Sequence, residues 1–185
     1  MISSKKEYFR YLEMDEKALG VKRSLKAYLF DDIWRYQKSL RQLEYWLNCS
    51  HSLIGKIITA YLRISLRKKG RKLGFSIPPN TVGPGLAIAH AGTIVINSKA
   101  KIGSNCRLHV CVNIGADIRD GNLAPKIGNN CYIAPGVKMY GNIEIGDNVA
   151  IGANSVVNKS FDSNITIAGI PAKIISNNGR LDYRA

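Results

Sequence analysis

Residues 127–156 read IGNNCY IAPGVK MYGNIE IGDNVA IGANSV, five consecutive six-residue units that each open on Ile127, Ile133, Met139, Ile145 or Ile151. The period continues outward. Downstream it reaches Val157, and upstream it takes in Val82, Ile88, Ile96, Ile102, Leu108 and Ile114, with two extra residues before Ile96 and an irregular insert at Asp117–Lys126. Glycine follows the aliphatic residue at Gly83, Gly103, Gly115, Gly128, Gly146 and Gly152. A half-buried strand alternates with period two, so a fixed period of six requires a chain that turns after each short strand. Three such strands close one triangular coil of a parallel β-helix. The aliphatic positions stack inward as ladders, joined by the small or apolar fifth positions Cys106, Val112, Cys131, Val137, Val149 and Ser155. Glycine and asparagine suit corners, where positive φ is needed.

Before this region the pattern is helical. Helices are predicted from Lys5 to about Gly20 and from Lys22 to about Lys69, with Tyr28, Ile33, Trp34, Leu40, Leu43, Trp46 and Leu47 on one apolar, aromatic-rich face. The run Arg67–Lys72 is predicted to end the helices at Gly70. The reading divides the chain into a basic helical region (1–75), a β-helix (76–175) and a tail (176–185).

Charge is unevenly placed. The whole chain has 27 Lys and Arg against 13 Asp and Glu, a net of +14. Residues 1–76 hold 17 basic and 7 acidic residues (+10), and residues 77–185 hold 10 and 6 (+4). This favours peripheral contact of the helical half with an anionic membrane surface. The aromatic residues fall at helix-core spacing rather than as a stacking platform, which argues against nucleic acid. No charged segment followed by an apolar run opens the chain, so a cytoplasmic protein is expected, at the inner face of the membrane if it docks there. The stretch Leu53–Leu66 is shorter than the roughly 20 residues a spanning helix needs. Cys49, Cys106, Cys111 and Cys131 form no metal-ligand spacing and read as reduced, mostly buried residues. No metal is expected.

The segments GLAIAH (85–90), PKIG (125–128), GNIEIG (141–146), IGANSVV (151–157) and AGIPAK (168–173) together resemble the hexapeptide-repeat acyltransferases, in the branch that holds serine acetyltransferases and polysaccharide O-acetyltransferases. The resemblance covers about Phe75 to Ile175. It implies a left-handed β-helix, acetyl-CoA as acyl donor, a homotrimer with sites between neighbouring chains, and His90 as catalytic base. Transfer of acetyl from a thioester to a hydroxyl needs a base for the hydroxyl proton and an acid for the departing thiolate; an imidazole of ordinary pKa, about 6.5, can serve as both in turn. By the same resemblance Pro135, Ala153, Asn158, Lys159 and Lys173 meet the donor, the lysines taking phosphates.

Authentic serine acetyltransferases carry Asp before the catalytic His, an orienting Asp at the start of the β-helix, and an Arg-His pair before Pro-Lys-Ile. Here those positions hold Ala89, approximately Ser76, and Leu123-Ala124. The expectation is therefore O-acetylation of a saccharide, free or lipid-linked, as a precursor of a cell-surface polymer. The alternatives are a serine O-acetyltransferase of cysteine biosynthesis and a non-enzymatic trimeric module for membrane surfaces. Candidates for the acceptor site are His109 and, on the insert, Asp117, Arg119 and Asp120. The plainer reading of His109 and Cys111 is an outward histidine and a structural cysteine. A zinc carbonic anhydrase on the same coil needs three histidines, and the coils offer His90 and His109.

Overall fold

The computed structural model describes residues 1–21 and 30–180. Tyr28 and the start of the second helical stretch lie outside them. Helix α1 (Lys5–Leu19) begins at Ser4, whose side chain accepts the Glu7 N–H, and closes at Gly20 in the left-handed conformation. Helix α2 (Asp32–Cys49) is capped by Asp31, and α3 (Leu53–Leu73) by Ser52.

The predicted stop at Gly70 is wrong by one turn. The helix continues to Leu73 and is closed by Gly74 at φ 80°, whose N–H reaches the Gly70 carbonyl. Gly70 is buried inside the helix, and a Cβ there would lie 2.5 Å from the Phe75 carbonyl oxygen. Its missing side chain serves packing, not termination.

Among the described residues, fourteen short strands then build a triangular prism. The first face stacks β1 (Phe75–Ser76), β3 (Ile94–Ile96), β6 (Val112–Gly115), β9 (Lys138–Tyr140) and β12 (Val156–Val157). The second stacks β4 (Lys101–Ile102), β7 (Lys126–Ile127) and β10 (Glu144–Ile145). The third runs β2 (Ala87–Ile88), β5 (Arg107–Leu108), β8 (Tyr132–Ile133), β11 (Ala150–Ile151), β13 (Thr166–Gly169) and β14 (Ala172–Ser176). All pairings are parallel except β13 with β14, a hairpin at the far end. The ladders fall where the period puts them: Ile88, Leu108, Ile133, Ile151 and Ile167 are in register, as are Ile96, Ile114, Met139 and Val157. Each of the six fifth-position residues is buried.

The structure separates two corner devices that the sequence reading merged. Positive φ is carried at the fourth position of the units by Asn105, Asn130, Asn148, Asn154 and Asn164, by Gly85 and Gly136, and by Cys111. The glycines of the second-face Ile-Gly pairs are needed instead for closeness between coils. A Cβ on Gly83 would come within 2.8 Å of the Gly103 backbone, one on Gly103 within 2.6 Å of the Gly128 carbonyl, and one on Gly146 within 2.5 Å of the Ser163 amide.

A parallel β-helix leaves its first coil with unpaired backbone groups, an edge open to aggregation. Here side chains from the helices replace the missing coil. Gln37 donates to the Leu86 carbonyl (2.8 Å) and accepts from the Ile88 amide (3.3 Å). Arg41 donates to the carbonyls of Val82 (2.8 Å) and Gly83 (2.7 Å). Asp15 accepts from the amides of Gly85 and Leu86, and Glu44 from that of Asn80. The helical half therefore caps the prism.

Candidate active site

His90 is the third residue of its unit, at the corner where the third face turns into the first. The strand register puts Val110, Pro135 and Ala153 at the same position in successive coils. His90 is exposed there, as are Pro135 and Ala153. The catalytic candidate and two of the donor candidates thus share one edge of the prism.

His109 is second in its unit, so it projects from the third face between Ala89 and Ala134 of the adjacent coils. The small side chains on either side leave room for an imidazole. Its ring centroid lies 6.2 Å from that of His90 and 5.0 Å from that of Tyr132. Arg107, two residues earlier on β5, donates from Nε to His109 Nε2 at 3.4 Å. His109 is half-buried; burial first, then the charges of Arg107 and His90, hold its pKa below the usual histidine value. A neutral ring accepting from Arg107 leaves its other nitrogen as a donor.

Arg107 and Tyr132 went unnoticed in the sequence. The signal was present, because each is the sixth residue of its unit, one before the next aliphatic position, and so faces outward in register with its neighbour.

The insert candidates are not brought to His90 within the chain. The loop leaves the first face at its opposite end, after β6, and is closed by the Asp117 amide on the Leu123 carbonyl (2.7 Å). Asp117 and Asp120 accept the amides of Arg119 and Asn122, so both carboxylates shape the turn. Arg119 is exposed. The remaining donor candidates are likewise divided. Asn158 and Lys159 follow β12 at the corner between the first and second faces, with the Lys159 ammonium 5.3 Å from the centre of the Phe161 ring. Lys173 lies on β14, paired with Ala168. Ser76 is on β1 opposite Val95, exposed on the first face. Of the cysteines, Cys106 and Cys131 are buried, Cys49 is partly exposed and Cys111 exposed, so "mostly buried" holds for two.

Among the described residues no group of three His, Cys, Asp or Glu side chains could hold a metal ion, and no helix is long and apolar enough to cross a membrane. What the fold and this edge define is a helix-capped β-helix of six-residue repeats. The family described as bacterial transferase hexapeptide (six repeats) matches residues 124–159. A serine acetyltransferase of Staphylococcus xylosus is 41% identical over 109 residues, 58% of this chain and 50% of that protein. The chain spans about half the length of the curated relatives it matches. Among solved structures, a Neisseria gonorrhoeae serine acetyltransferase in complex with serine superposes with a TM-score of 0.73 at 26% identity, over 94% of this chain and 71% of that one. A serine acetyltransferase in complex with CoA gives 0.72 at 25% identity, over 92% and 71%.

These likenesses overturn the expectation of a saccharide acceptor, since relative and neighbours alike are serine acetyltransferases. That expectation took Ala89, Leu123 and Ala124 as the loss of amino-acid recognition. Its physical weakness is that a charge needs to be near the acceptor, not at a fixed motif position, and the third face carries Arg107 beside the two histidines.

Proposed function

We propose that the chain is an acetyl-CoA-dependent serine O-acetyltransferase that works as a homotrimer, with residues 76–175 as the catalytic β-helix, 1–75 as its cap and 176–185 as a tail. The observation that carries this reading is the shared edge: His90 lies in the same column as Pro135 and Ala153, with His109 and Arg107 on the adjoining face. The relatives supply the acceptor, and the neighbour solved with CoA supplies the donor.

His90 takes the proton of the serine hydroxyl as its oxygen attacks the thioester carbonyl. The tetrahedral intermediate then expels the CoA sulfur, and the imidazolium returns the proton to it. Nothing covalent forms on the enzyme, so acetyl-CoA and serine become O-acetylserine and CoA. Pro135 and Ala153 lie along the donor arm, Asn158 assists at its far end, and Lys159 and Lys173 meet donor phosphates. Arg107 offers the planar fork that a carboxylate takes. Asp117, Arg119 and Asp120 belong to a loop that reaches the acceptor from a neighbouring chain.

The test is turnover by the full chain. Acetyl-CoA with millimolar L-serine should release CoA thiol in step with O-acetylserine, identified by mass. Thiol release no faster with serine than without it, by protein that binds CoA, would overturn the acceptor assignment.

A further inference from the structure

Helix α3 is apolar on two opposite sides. Gly55, Leu62, Leu66, Gly70 and Leu73 form its buried side, packed towards α2 and β1. On the other side Leu53, Ile54, Ile57, Tyr61 and Ile64 are 75, 70, 64, 68 and 58% exposed. At 3.6 residues per turn these five fall within an arc of about 100°, a continuous stripe rather than scattered surface apolars. A stripe of this kind marks an interaction surface.

Charge identifies the partner. The helix carries Lys56, Arg63, Arg67, Lys68, Lys69, Arg71 and Lys72, and no acidic residue. Arg63, Arg67 and Arg71, at four-residue spacing, run from the flank of the helix to the edge of the stripe's face beyond Ile64, beside a groove of about 390 Å³ that also meets Leu43, Leu66 and Phe75.

We propose that this face docks on an anionic lipid bilayer, with α3 lying in the plane of the interface. The five exposed side chains enter the acyl boundary, and the arginine row pairs with headgroup phosphates at their edge. The apolar segment Leu53–Ile64 is about 18 Å long at 1.5 Å per residue, which suits lying on a bilayer and not crossing it. A second copy of the chain could also cover apolar area, but a two-fold contact would set one arginine row against another with no carboxylate on α3 to answer it. The inference is independent of the acceptor.

Flotation of the full chain with vesicles tests it. Vesicles of phosphatidylcholine with about 30% phosphatidylglycerol should recover at least roughly tenfold more protein than phosphatidylcholine alone, and the excess should shrink at high salt as the charges are screened. The pair Ile57→Asp and Ile64→Asp should remove the recovery while circular dichroism and CoA binding stay unchanged. If that pair unfolds the chain, Ile57→Ser with Ile64→Ser gives the same readout. Arg63→Glu with Arg67→Glu should abolish the preference for anionic vesicles. Equal recovery on both vesicle types overturns the proposal, as does recovery that survives the stripe variants. A fall in oligomeric mass by light scattering in the stripe variants would also overturn it, assigning the face to a second copy.

Discussion

Arg41 and Asp15 form an ion pair with no exposure of either side chain, Nε to Oδ2 at 2.8 Å, and each partner also holds backbone of the first coil. Glu44 completes the cluster from Arg41 Nη1 at 3.0 Å. Removing Arg41 would strand two buried carboxylates and free two carbonyls. Arg41→Ala should therefore cost about 3–5 kcal/mol, measured by denaturant unfolding. The same cluster predicts that a chain cut near Leu73 aggregates through its uncovered first coil.

Gly103→Ala tests the coil spacing. Its Cβ would meet the Gly128 carbonyl oxygen at 2.6 Å and carbon at 2.7 Å, backbone that cannot swing aside, and the Asn129 Oδ1 at 2.7 Å. A loss of about 1–3 kcal/mol in stability is expected. An equally stable variant would show that the coils can part at that corner.

The prism was legible because its period is strict: Ile127, Ile133, Met139, Ile145 and Ile151 all fall inside, and their ladders need no information beyond the sequence. The cap was not legible. Asp15, Gln37, Arg41 and Glu44 read as ordinary helix-surface residues, because nothing local shows that they will meet backbone many residues away. Gly70 misled for a related reason, since a glycine after basic residues signals a helix end unless a neighbour occupies the space of its Cβ. In the site, His90 was found by motif, whereas Arg107 and Tyr132 become visible only when outward positions are read across coils.

Cys111 sits at φ 61° where Gly136 and Asn154 stand in the next coils. A side chain in the left-handed region costs about 1–2 kcal/mol, and asparagine tolerates it better than cysteine. Cys111→Asn should raise stability by up to about 1 kcal/mol by the same principle, seen as a higher denaturant midpoint.

His109 provides a pH test. Its folded pKa is depressed, so the unfolded chain takes up a proton first as pH falls. The contribution to stability is complete above the ordinary value near 6.5 and is lost as pH drops through the lower folded value. Titration of the ring by NMR should give a midpoint below 6.5, and Arg107→Ala should move it upward by removing a nearby positive charge. A midpoint unchanged in that variant would detach Arg107 from the ring.

The division of labour on the third face makes the sharpest kinetic prediction. His90 stands at the edge shared with Pro135 and Ala153, so it is the ring placed to meet both the hydroxyl and the thioester. His90→Ala should lower kcat by roughly 10² to 10⁴, the usual range for a lost general base, with CoA binding and oligomeric mass unchanged. His109→Ala should cost much less, because its ring is one step removed at 6.2 Å and accepts from Arg107. Arg107→Ala should instead raise the KM for L-serine and leave kcat nearly intact, the pattern of a group that binds ground and transition states alike. Equal collapse of kcat in the two histidine variants would make the pair a single proton relay. Near-normal turnover in His90→Ala would remove that residue from the chemistry and leave His109 as the base.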